Sequence, residues 1–186
     1  MSRLQFEDTP IAGLRRVRRL PLGDARGFLV RLFSADELRD AGWTAPVAQV
    51  NHTRTGQRGS VRGLHFQRQP HAEQKLVHCL RGEVWDVAVD LRRGSPTFLR
   101  WHAERLGGDN GVALLIPEGF AHGLQTLSDD VDMLYCHSAA YAADFEGGIH
   151  PREPRVAIDW PLPIAALSPR DDAHAFLDGH FDGIAA

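Results

Sequence analysis

The side chains best able to do chemistry crowd into one stretch, residues 49–75, which reads QVNHTRTGQRGSVRGLHFQRQPHAEQK. It carries Asn51, His52, Arg54, Arg58, Arg62, His65, His71 and Lys75. A histidine takes or gives a proton near neutral pH, and an arginine offers phosphate a planar fork of donors. Taken singly, each of these residues reads most simply as a solvated loop side chain. Their density beside Gly63 and Leu64 in an apolar run argues for use, because polar groups set in a barrel wall are costly unless paired or working. Two later stretches add candidates. IPEGFAHG, residues 116–123, holds Pro117, Gly119 and His122. MLYCHSAAY puts Tyr135 in the centre of an apolar strand. There it is either a core aromatic with a satisfied hydroxyl or, opposite a basic histidine, a proton donor.

Composition sharpens the interest in one residue. Lys75 is the only lysine in the chain, and every other basic side chain apart from histidine is arginine. Arginine-rich codon usage accounts for most of that bias; phosphate recognition is the alternative.

The elements that must position these residues are mainly strands. Residues 74–80 alternate apolar and polar, and Glu83–Asp90 resumes after Gly82 with Trp85, Val87 and Val89 on one face. Residues 98–105, Val112–Ile116, residues 123–127 and Val131–His137 are further short strands. Turn signals separate them at residues 81–82, 94–96, 107–111, 117–119 and 128–130. Such spacing predicts an all-β antiparallel sandwich or barrel. Strict alternation would put Arg62 and His65 on opposite faces, and a bulge at Gly63 would bring both inward. Ser34 and Glu37 form a capping box before a stop at Gly42, which predicts a short helix over residues 35–41. The last forty or so residues, rich in Pro and Asp, read as loops with a short terminal helix. They are expected to wrap the barrel, so residues 1–186 form a single domain, a length that suits one core better than two.

The chain has 186 residues, 43% hydrophobic and 24% charged, with a formal net charge of -3. That balance argues against a general nucleic-acid binder. The two cysteines, Cys79 and Cys136, sit in apolar runs and read as buried thiols of a reducing compartment. The N-terminal residues lack the apolar run of a signal peptide, and no stretch reaches the roughly 18 apolar residues of a membrane span. A cytoplasmic protein without membrane attachment is expected.

Taken in order, VRGLHFQ, KLVHCLRGEVWDVAVDLRRGSPTF, IPEGFAHG, the LY of Leu134-Tyr135 and LSPRD resemble the dTDP-4-dehydrorhamnose 3,5-epimerase family. IPEGFAHG has the P-x-G-x-x-H spacing of a second cupin motif, and DARGFLVRLF resembles the family's N-terminal substrate strand. The likeness runs from about Asp24 to Asp171. It implies a cupin-like jelly-roll barrel with a few short helices, and a homodimer whose subunits share the site. It implies His65 as general base, Asp171 as the carboxylate that orients it, Lys75 as stabiliser of the enolate oxygen, and Tyr135 as acid on the opposite face. It assigns Arg26 and Arg62 to the diphosphate and Phe28 to the nucleobase. Gln49, Asn51, His122, Glu146 and Arg170 become further contacts to a nucleotide-sugar substrate, dTDP-linked by the resemblance.

The residue types suit this reaction without a cofactor. A proton alpha to a ketone yields to a base near neutrality, and the charge that moves to the ketone oxygen needs a nearby cation. Inversion then needs an acid on the other face. No step calls for a metal or a nicotinamide. The expected activity is inversion of C3, C5 or both in a dTDP-4-keto-6-deoxy-hexose, within dTDP-L-rhamnose or related deoxysugar biosynthesis.

Two departures bear on scope. Arg31 stands where the family usually has an acid that touches the nucleobase. Ala140-Tyr141 replaces a pair of tyrosines that shapes the sugar pocket. A C3-only epimerase and a 3,4-ketoisomerase are the alternatives. A metal-dependent cupin is a further one, but Gln67 occupies the place of the second ligand histidine, leaving His65, His122 and either Glu73 or His71.

Overall fold

Short apolar runs fold here as antiparallel strands in a computed structural model that describes residues 2–185. In chain order they are β1 (Leu4–Asp8), β2 (Arg15–Arg19), β3 (Leu22–Asp24), β4 (Gly27–Leu29), β5 (Gln49–Thr55), β6 (Val61–Gln67), β7 (Lys75–Arg81), β8 (Glu83–Asp90), β9 (Trp101–Gly107), β10 (Val112–Ile116), β11 (Phe120–Thr126), β12 (Val131–His137) and β13 (Glu146–Gly148). Two α-helices accompany them, α1 (Ala35–Arg39) and α2 (Pro169–Asp172), with a 3-10 turn at Ala143–Phe145.

A six-stranded sheet in the order β1-β2-β10-β7-β12-β5 faces a five-stranded sheet in the order β13-β6-β11-β8-β9. Between them Val77, Leu114, Met133, Val84, Ala88 and Leu124 pack into a closed core. The outer face of the six-stranded sheet is covered by Leu38, Ala41 and Trp43 from α1 and the loop after it. The outer face of the other sheet carries Trp85, Val87 and Val89, as their alternation predicts, beneath Ile149, Val156, Trp160 and Phe181. Isolated parallel bridges, Ser60 to Ala166 and Arg92 to Ile184, tack this C-terminal segment down. Strand β10, VALLI, is buried on both faces, which is why its sequence reads as a continuous apolar run. Strand β11 is as fully buried but places His122, Gln125 and Thr126 in the interior.

This is the all-β, cupin-like architecture expected, with several local differences. The capping box forms only in half. Ser34 Oγ accepts from the Glu37 N–H, but Glu37 turns away to accept from the N–H groups of Arg3 and Leu4. The helix ends at Arg39, and Gly42 follows with φ +102. The strand expected from residue 98 starts at Trp101, because residues 92–97 wind round Asp90. Its carboxylate accepts from Arg92, Ser95 and Thr97. The C-terminal segment holds its helix at Pro169–Asp172 and not at the terminus. Strands β1, β2, β5 and β13 escaped the sequence reading, and the DARGFLVRLF segment, matched to a single substrate strand, instead supplies β4 and the turn of the β3–β4 hairpin.

Candidate functional site

A polar cavity opens into the barrel from β5, β6, β7, β11 and β12, and the local shape of β6 decides which of its side chains reach it. His122 of β11 pairs with His65 and Leu124 pairs with Arg62, so Gly63 and Leu64 oppose Gly123 alone. This is the bulge expected at Gly63. The residue has φ +118, and a Cβ there would lie 2.7 Å from both Gly123 Cα and the His122 carbonyl oxygen. Only glycine lets the two strands approach so closely. The bulge resets the alternation, and Arg62 and His65 both face a cavity of 170 Å³.

Asn51, Lys75, His122 and Tyr135 line the same cavity, with Thr53 and His137. His65 belongs to the five-stranded sheet, whereas Lys75 and Tyr135 belong to the six-stranded one. Two further hollows adjoin. One of 330 Å³ includes Arg62, Ser168, Arg170 and Asp171, and one of 180 Å³ includes Gln49, Asn51, Lys75, Tyr141 and Glu146. His65 is the residue common to all three.

Asp171 stands behind His65, 106 positions away in sequence. Its Oδ1 lies 2.7 Å from His65 Nε2, and its Oδ2 accepts from the Gly63 N–H at 3.2 Å. Ser168 caps α2 and accepts from the Asp171 N–H. Burial pushes this carboxyl up, but the bond and charge of His65, with the Gly63 N–H and Ser168, hold it below the usual carboxylate range. The bond to Nε2 leaves Nδ1 of His65 without a partner among the described residues.

Lys75 is buried beside Glu73, 3.2 Å from Nζ to Oε1. The other Glu73 oxygen meets His137 Nδ1 at 2.7 Å, and His137 Nε2 meets Asn51 Nδ2 at 3.3 Å. Burial raises the Glu73 carboxyl, and His137 and Lys75 together outweigh it, keeping Glu73 ionised. Burial likewise pushes the Tyr135 phenol up to about 12. His122 Nε2 meets Asp86 Oδ1 at 2.9 Å in a second imidazole–carboxylate pair. At the rim, Glu146 accepts from both Tyr141 and Arg170.

The structure gathers most of the expected residues but not all. Arg26 and Phe28 lie on the β3–β4 hairpin, Arg26 with its side chain 90% exposed and held by its own Asp24, Phe28 73% exposed. The hairpin borders a hollow of its own and none of the cavity. Arg31 pairs with Glu37 at α1. Glu73 and His137 were not read as positioning groups, nor was Asp86 singled out. His137 lies two residues after Tyr135, a spacing that marks a shared strand face. Among the described residues, His65, His122 and Glu73 or His71 do not come together as the ligand set of a metal cupin. Gln67 spends its amide on the His71 and Ala140 carbonyls and the Ala142 N–H, and Glu73 is engaged by Lys75 and His137. No helix among the described residues is long and apolar enough to cross a membrane.

The family model described as dTDP-4-dehydrorhamnose 3,5-epimerase matches residues 8–179. The chain is 37% identical over 178 residues to a dTDP-4-dehydrorhamnose 3,5-epimerase of Sinorhizobium fredii, covering 95% of this chain and 91% of the relative. It is 41% identical over 149 residues to a dTDP-4-dehydrorhamnose 3-epimerase of Streptomyces niveus, covering 80% and 72%. A crystal structure of the 3,5-epimerase from Legionella pneumophila in complex with dTDP-4-keto-L-rhamnose superposes with a TM-score of 0.90 at 39% identity, covering 98% and 99%.

Proposed function

This chain belongs to the dTDP-4-dehydrorhamnose 3,5-epimerase family, and from that premise we propose how its own residues carry the reaction. The protein is an isomerase that inverts carbon centres of a dTDP-linked 4-keto-6-deoxy sugar. The observation that carries the assignment of roles is the opposition of His65 and Tyr135 on facing sheets across one cavity.

His65 is the base. Asp171 accepts the proton on Nε2 and so presents the Nδ1 lone pair to the carbon next to the ketone. As that C–H bond breaks, its electrons move to the ketone oxygen. Lys75, pinned by Glu73, supplies the cation that stabilises the resulting enolate. Tyr135 returns a proton to the other face. Its raised pKa keeps it protonated through the neutral range, the state an acid needs. Arg62 and Arg170 favour a diphosphate in the adjoining hollow, while Gln49, Asn51, His122 and Glu146 hold the sugar. The relative from Streptomyces niveus, a 3-epimerase by name, makes the carbon attacked the point to measure. Incubation with dTDP-4-keto-6-deoxyglucose in deuterium oxide, followed by NMR, reads which carbons exchange and which invert. A product whose carbonyl has moved along the ring would overturn the epimerase reading.

The hairpin completes the reading. Leu22, Phe28 and Leu29 are exposed there with Arg26. A second copy of the chain gives these side chains a use: the hairpin of one subunit reaches the cavity of the other, with Arg26 on the diphosphate and Phe28 against the base. Mixing two inactive variants tests this. H65N combined with an R26A/F28A double variant regains activity if the hairpin serves the partner's site. It regains none if each hairpin serves its own.

A further inference from the structure

A further imidazole stands beside the proposed base without a role in the epimerase reading. His65, Asp171 and His174 each offer one ligand atom, and these atoms lie within 4.8 Å of one another. Asp171 Oδ1 is the common neighbour, 2.7 Å from His65 Nε2 and 3.9 Å from His174 Nε2. The two rings meet edge to face with centroids 5.8 Å apart. His174 Nε2 is buried and has no hydrogen-bond partner among the described residues, a costly state for a ring nitrogen.

The seat of His174 is made by a glycine. A Cβ on Gly148 would lie 2.1 Å from His174 Nε2. Gly148 pairs directly with His65 across β13 and β6, so its bare backbone lets the second imidazole lie alongside the first.

Two imidazoles and a carboxylate are a zinc donor set. Bonds of about 2.0–2.2 Å in tetrahedral array put donor atoms about 3.3 Å apart, and the separations of 2.7 and 3.9 Å fall on either side of that value. The 330 Å³ hollow bordered by His65 and Asp171 leaves room for a water as fourth ligand. We propose that His65, Asp171 and His174 bind a divalent zinc-like ion, and that its binding switches the enzyme off. This set differs from that of a metal-dependent cupin, since it uses neither His122 nor Glu73. The switch follows from the ring chemistry. A neutral imidazole has one lone pair. With Asp171 on Nε2, that pair is on Nδ1 and can take the substrate proton. With a metal on Nε2, the ring proton sits on Nδ1 and no base remains. The binding claim stands on geometry alone, and the inhibition claim rests on His65 as base.

The test titrates zinc chloride into chelator-stripped protein by calorimetry and follows turnover in parallel. One ion per chain is expected, with turnover falling in proportion to occupancy and returning on addition of chelator. His174→Ala is expected to keep its metal-free turnover and to weaken zinc binding at least about tenfold, the lower bound for losing even an outer-shell partner. Gly148→Ala, whose methyl takes the seat of His174, should weaken it in the same sense. Absence of stoichiometric binding, or native affinity in His174→Ala, overturns the site and leaves the base assignment standing. Stoichiometric binding with full turnover overturns the switch and the base assignment together.

Discussion

Two histidines face each other in register on neighbouring strands, His65 on β6 and His122 on β11, and each meets a carboxylate through Nε2. As residue types the two pairs are identical. They differ in where the carboxylate comes from. Asp86 lies on β8, the strand next to β11, fully buried, and His122 beside it has a side chain only 8% exposed. Asp171 arrives from the C-terminal segment outside both sheets, and His65 keeps 30% of its side chain exposed at the junction of three hollows. A pair supplied wholly from within a sheet is a wall. A pair whose carboxylate is brought in from a loop holds one ring nitrogen and leaves the other open to substrate. The Tyr135 ring, 6.1 Å from that of His122, leans on the wall and faces the open pair.

The largest effect expected is at the open pair. His65→Asn should slow solvent exchange at the carbon next to the ketone by about 10²–10⁴-fold, the range a positioned base supplies. Exchange measured by NMR in deuterium oxide checks it, and equal loss in a folded His122→Asn protein would erase the distinction between the pairs. Next comes Tyr135→Phe. Net inversion should fall about 10²-fold, the lower end of the same range, while exchange falls less, since exchange needs the base alone. Equal losses in both would deny Tyr135 the role of opposite-face acid.

A smaller effect, of a different kind, is expected at the wall. Asp86→Asn disturbs a buried polar pair and should cost about 1–3 kcal/mol of stability, or roughly 2–4 °C of Tm per kcal/mol in a chain of this size. Turnover should change far less than in His65→Asn. Thermal unfolding and turnover on the same preparation separate the two. A variant that melts like the native protein but does not turn over would make Asp86 a participant in the chemistry.

The contrast between the pairs was only half legible in the sequence. Strands Glu83–Asp90, Val112–Ile116 and Val131–His137 were readable because apolar runs and turns declare them. The bulge at Gly63 was readable because alternation fails there unless a residue is inserted. Strand β2, RRVRR, was not, since four of its five residues are arginine and only Val17 and Arg19 are buried in it, although it pairs with the preceding β1 as well as with the distant β10. The resemblance named His65 and Asp171 together, yet spacing alone could not rank His65 above His122, because rank depends on burial. Asp86 and Glu73 went unread as positioning groups for a related reason. Their partners lie 36 and 64 positions away, and only the pairing of β8 with β11 and of β7 with β12 joins them. Arg26 and Phe28 match the family pattern in sequence but stand clear of the cavity of their own chain.

The smallest effect is a dependence on pH, and it tests whether the open pair rests on an ionised acceptor. Burial alone would raise the Asp171 carboxyl, but His65, the Gly63 N–H and Ser168 depress it below its ordinary value. An unfolded chain binds that proton at about pH 3.9. The folded state therefore binds fewer protons than the unfolded state in the window between the two values. The stabilisation from the ionised group is complete above the unfolded pKa and is lost as pH falls through the folded one. The stability gap between the native protein and Asp171→Asn should thus stay level from neutrality down to about pH 5 and close below about pH 4. Denaturant unfolding of both proteins across that range measures it. A gap that widens toward acid would mean that Asp171 holds a proton in the folded state. It would then be unable to accept the Nε2 proton, and His65 would lose the feature that separates it from His122.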